Sequence, residues 1–94
     1  MIRKLNISGI VYSVKYKKTL MDASGNECYG LLDHEKSIIY LRPDRPKDAL
    51  FGDMLHEALH AYFPYLSEKA VAEFERCLTQ FLLDNKFVNP RRLI

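Results

Sequence analysis

Cysteine is scarce in this chain: only Cys28 and Cys77, far apart and in no CxxC pair. They cannot form a disulfide framework, and both read as small buried hydrophobes of a reducing compartment. Long hydrophobic runs are missing too, since no apolar stretch approaches the roughly 20 residues of a membrane span. The start, "MIRKLNISGIVYSV", interrupts its apolar residues with Asn6, Ser8 and Gly9, unlike the continuous apolar region of a signal peptide. The expectation is a soluble, cytoplasmic protein with no membrane partner. Charge of one sign is also lacking: the net charge is +2, and the basic clusters "KYKK" (15–18) and "RRL" (91–93) lack the aromatic interleaving of nucleic-acid readers. No nucleic-acid partner is expected. There are no repeats, linkers or low-complexity segments.

What remains is an ordinary globular composition, 48% hydrophobic and 28% charged over 94 residues. That length makes one domain, 1–94, with a single core, so any active site must sit on the core elements themselves. In "KLNISGIVYSVKYKK", Leu5 and Ile7, then Ile10, Tyr12, Val14 and Tyr16, alternate about an "SG" turn, which predicts a β-hairpin with a half-buried face. "DASGNECYG" (22–30) reads as a loop, and "KSIIYLR" (36–42) as a strand closed by Pro43 and Pro46. The expectation is about three strands.

After "RPDRPKDA" the period changes. Leu50, Met54, Leu55, Ala58, Leu59, Tyr62 and Phe63 recur at helical spacing until Pro64. Ser67 is a good N-cap for a second helix with a stripe of Val71, Phe74, Cys77, Leu78, Phe81 and Leu82. The fold class is therefore α+β, a small antiparallel or mixed sheet followed by two helices.

The first helix contains "LHEALHA", with His56, Glu57 and His60. Residues i and i+4 share a helix face, so His56 and His60 can aim two imidazoles at one point, a geometry suited to zinc. Glu57, rotated by about 100° from His56, falls beside such an ion and can serve as general base toward an activated water. Against this stands a chance HExxH on a helix with structural histidines, yet the motif lies on a well-patterned helix and uses two of only three histidines. A catalytic zinc needs a third protein ligand. No histidine follows His60, which leaves Glu68, Glu73 and Glu75 of the second helix. Glu73 lies well off the apolar stripe and is the weakest; Glu68 and Glu75 share one flank, and geometry leaves both open. Each has an ordinary role available, Glu68 at the helix dipole and Glu75 on a charged face.

The "SIIYL" strand, "LHEALHA", "LSEKAVAEF" and "FLLDN" together resemble the small phage-type zincin-like metallopeptidases, distant relatives of the ImmA/IrrE group, over about Ile38 to Asn85. The resemblance implies a zincin-like fold and one Zn2+ on His56, His60 and a gluzincin-type glutamate, with Glu57 as catalytic base. The family's spacing puts that glutamate three residues before a small apolar position and six before an aromatic, which here favours Glu68 before Val71 and Phe74. The chain departs from the pattern at Ala72, where the larger group carries Asn or Asp, and in its short interhelical loop. The resemblance further implies a substrate peptide added along an edge strand, with Ile38, Ile39, Tyr40 and Leu41 as the candidate strand against an ordinary core role. Tyr62, Tyr65 and His34 are candidate oxyanion donors, against packing in the interhelical turn for the tyrosines and a hairpin turn for His34. The expected activity is hydrolysis of a protein or peptide partner, such as a phage repressor. The alternative is a non-catalytic zinc-binding interaction module of a phage or mobile element.

Overall fold

A computed structural model describes residues 1–93. Four strands, β1 (Lys4–Ile7), β2 (Ile10–Tyr16), β3 (Gly30–Asp33) and β4 (Ile38–Leu41), are followed by helices α1 (Lys47–Tyr62), α2 (Glu68–Asp84) and the single turn α3 (Pro90–Leu93). The expected hairpin forms β1 and β2, paired antiparallel from Lys4↔Ser13 to Ile7↔Ile10. Its two-residue turn places Ser8 at φ 53° and Gly9 at φ 80°, both left-handed, as a tight hairpin on right-twisted strands requires. Gly9 N–H donates to Asn6 Oδ1 at 3.0 Å, which fixes the turn.

The sheet has four strands rather than three, in the order β1-β2-β4-β3. β4 runs parallel to β2 (Ser13↔Ile38 to Tyr16↔Leu41) and antiparallel to β3 (Gly30↔Leu41 to Asp33↔Ile38). The additional strand, "GLLD", is short and has neither β-branched residues nor alternation; its pairing comes from β4 rather than from local propensity. β4 is consequently a central strand hydrogen-bonded on both sides, and β3 is the edge.

One face of the sheet packs on α1. Ile39, Leu41 and Leu50 are wholly buried, and Ile7, Tyr12, Val14, Phe51 and Met54 complete the core around them. Burial of this kind contributes roughly 1.5–3 kcal/mol per large side chain. α2 packs along α1 instead of the sheet. Gly52 sits where the helices meet: a Cβ there would lie in ordinary contact, 3.4 Å from Glu75 Oε2 and 3.6 Å from Thr79 Oγ1. α2 starts as expected, Ser67 Oγ accepting from Ala70 N–H at 3.1 Å. Among the described residues, no helix is long and apolar enough to cross a membrane.

Candidate metal centre

His56 and His60 lie one turn apart on α1, their ring centroids 5.0 Å from each other. The three-residue turn after Pro64 brings the first residue of α2, Glu68, across them. His56 Nε2 donates to Glu68 Oε1 at 2.7 Å, and His60 Nε2 donates to Glu68 Oε2 at 2.7 Å. Two imidazoles thus converge on the two oxygens of a single carboxylate. The ligand atoms of this trio all lie within 4.8 Å of one another, and the group could hold a metal ion. Burial pushes the Glu68 carboxyl up, but the His56 charge and the hydrogen bonds from both histidines outweigh it and hold the group below its usual range.

The other two glutamates take different places. Glu75 Oε1 lies 3.7 Å from His56 Nδ1, on the ring nitrogen opposite the one facing Glu68. At that separation it is a charge beside the ring and not a hydrogen-bond partner of it. Glu73 is turned to solvent, where Arg76 donates to it at 2.6 Å.

Glu57 is the one buried charged side chain of the described residues, 8% exposed. It points from α1 toward edge strand β3, where a Cβ on Gly30 would lie 3.0 Å from its Oε2. Glycine therefore makes room for the carboxylate under the strand. Burial is the main reason its pKa is pushed up to about 7; His56 opposes the rise, and Glu68 and Asp53 add to it.

These residues line a cleft of about 630 Å³ between β3, α1 and the start of α2. The cleft also contains residues not anticipated from sequence: Asp22, Cys28, Tyr29, Gly30, Arg45 and Asp53. Arg45 is fixed there, its Nε and Nη2 donating to Asp53 at 3.1 and 3.3 Å and its guanidinium 3.6 Å from the Tyr29 ring centroid. Asp53 was discoverable, since it precedes His56 by three residues and Glu57 by four and so shares their face. Tyr29 and Arg45 carried no such signal, because tertiary folding alone brings their segments to α1.

Two expectations are corrected. Tyr62, Tyr65 and His34 do not line the cleft. Tyr62 follows His60 by two residues, a rotation of about 200°; Tyr65 is 79% exposed against Phe63 in the interhelical turn; and His34 lies in the β3–β4 turn. Ile38, Ile39, Tyr40 and Leu41 do not form an edge strand, because both sides of β4 are occupied by β2 and β3. The strand facing the cleft with an open edge is Gly30–Asp33. Comparison with protein-family models, curated proteins and solved structures returned no match.

Proposed function

We propose that this protein is a zinc-dependent peptidase, with a fold of zincin type, that hydrolyses peptide bonds in a protein or peptide substrate. The observation that carries the reading is the convergence of His56 Nε2 and His60 Nε2 on the Glu68 carboxylate beside a buried Glu57. Two imidazoles with one carboxylate are a donor set suited to zinc, whereas magnesium and calcium favour all-oxygen shells. His56, His60 and Glu68 would hold the ion; when bound, it supplies Lewis acidity toward the substrate carbonyl and makes water a better nucleophile near neutral pH.

The chain's own residues supply the rest. Glu57, with a pKa near 7 before any cation is counted, can accept a proton from water in the cleft and return it to the departing amine. Glu75 places a carboxylate behind the His56 ring, its Oε1 3.7 Å from Nδ1. The unpaired edge of β3 offers backbone N–H and C=O groups to an extended peptide, and Gly30 places that edge against Glu57. The buried, pKa-shifted Glu57 favours this reading over a non-catalytic zinc module, which has no use for an ionisable group taken from water.

The test is metal content together with hydrolysis of an unfolded protein substrate. Purified protein should carry one zinc per chain, and Glu57→Gln should keep it while losing activity by about 10²–10⁴-fold. Zinc retained with no hydrolysis by the unaltered protein would favour the interaction module, and absence of zinc would refute both.

A further inference from the structure

The outward face of α2 is at odds with its sequence pattern. Of its apolar stripe only Val71 is fully buried; Phe74 is 49% exposed, Leu78 41% and Phe81 52%, with Cys77 also exposed among them. Phe87, 66% exposed, extends the patch, its ring centroid 5.5 Å from that of Phe81. The cause is that α2 turns Glu75 and Thr79 to α1 and Leu82 and Leu83 to the core, which lie on the flank of the stripe rather than at its centre. At about 200 Å² per fully exposed large side chain, Phe74, Leu78, Phe81 and Phe87 present about 400 Å² of apolar surface. A standard interface buries roughly 800 Å² per partner, somewhat over half of it apolar, so this patch supplies most of the apolar part of one.

The charges beside the stripe select the occupant. Along the flank away from α1 the order is Lys69, Glu73, Arg76, Gln80, Asp84. An antiparallel copy of the same helix, related by a two-fold axis near Cys77, brings Lys69 of each chain level with Asp84 of the other and Glu73 level with Gln80. Arg76, close to the axis, keeps its own Glu73 as counter-ion. A parallel arrangement instead sets each residue level with its own equivalent and forms neither cross-pair. We propose that the outward face of α2 is the interface of an antiparallel two-fold dimer with a second copy of this chain, independently of what the cleft does. Such an interface is isologous, the same patch serving both partners.

Light scattering and sedimentation equilibrium of the full chain over micromolar to millimolar concentration test this directly. A dimer is expected, and Phe74→Glu with Phe81→Glu, at positions already exposed, should give a folded monomer by circular dichroism. Lys69→Glu should weaken association by about tenfold by setting two acidic pairs face to face; adding Asp84→Lys should restore it. In a Cys28→Ser background, a short bismaleimide should join Cys77 to Cys77 at dimer concentrations. A monomer throughout overturns the proposal, as does a dimer that neither responds to Lys69→Glu nor cross-links through Cys77. Binding of the monomer to anionic lipid vesicles, lost in the double Phe variant, would assign the patch to a membrane surface and overturn it equally.

Discussion

Replacing Glu57 by Gln should stabilise the protein against unfolding in chelator, and only above mildly acidic pH. The carboxyl is pushed from 4.5 to about 7 chiefly by burial. Its folded pKa being the higher, the folded chain binds the proton more tightly than the unfolded one between these values, and stability falls as pH rises through that window. Below about pH 4.5 the group is protonated in both states and costs nothing. Above about pH 7 the full penalty is present; the rise from 4.5 to about 7, at 1.36 kcal/mol per pH unit, makes it about 3 kcal/mol. That is a large fraction of the 5–15 kcal/mol typical of a domain. Gln has nearly the same shape and carries no charge to desolvate. Urea unfolding at a series of pH values, with chelator throughout, should show the midpoint of Glu57→Gln moving above that of the unaltered protein by roughly 1–3 M between pH 4.5 and 8. If the two midpoints run parallel across the range, Glu57 is not held in a desolvating site and the argument for its role as a base fails with it.

Zinc affinity should separate the three glutamates. Glu68→Ala should weaken binding most, Glu75→Ala less, through loss of the charge beside His56, and Glu73→Ala not at all, as measured by competition with a chromophoric chelator. Gly30→Ala should push against Glu57 Oε2, cost about 1–3 kcal/mol in unfolding free energy and reduce hydrolysis while zinc stoichiometry stays at one. Val71→Ala should lower the thermal midpoint, because Val71 is the one fully buried apolar side chain on α2; an unchanged midpoint would show that α2 adds little to the folded state.

Local chemistry made part of this architecture readable in the sequence. The "SG" turn, the period of α1 and the Ser67 cap each depend on neighbours in the chain, and each appears where its pattern puts it. His56 and His60 share a face because a helix puts i and i+4 together. β3 was hidden because two leucines between Gly30 and Asp33 carry no alternation, and its partner is supplied by β4. β4 was misplaced for the same reason: "SIIYL" identifies a strand, but its central position depends on parallel pairing with β2 across a long connection. The choice between Glu68 and Glu75 could not be read from helical angles, since both occupy one flank of α2. The three-dimensional distances assign Glu68 to both Nε2 atoms and Glu75 to His56 Nδ1.

The shortness of the connection between Tyr62 and Glu68 limits how far the cluster can come apart. Six Cα–Cα steps at 3.3–3.6 Å each reach no further than about 22 Å. Should α2 lift from α1, Glu68 therefore stays tethered near the histidines at an effective concentration on the millimolar scale. Two imidazoles on one continuous helix can capture a cation first, and the carboxylate then closes on it as an intramolecular step. An ion bound there would act as a clasp between the helices, drawing α2 home by the same event that completes the ligand set.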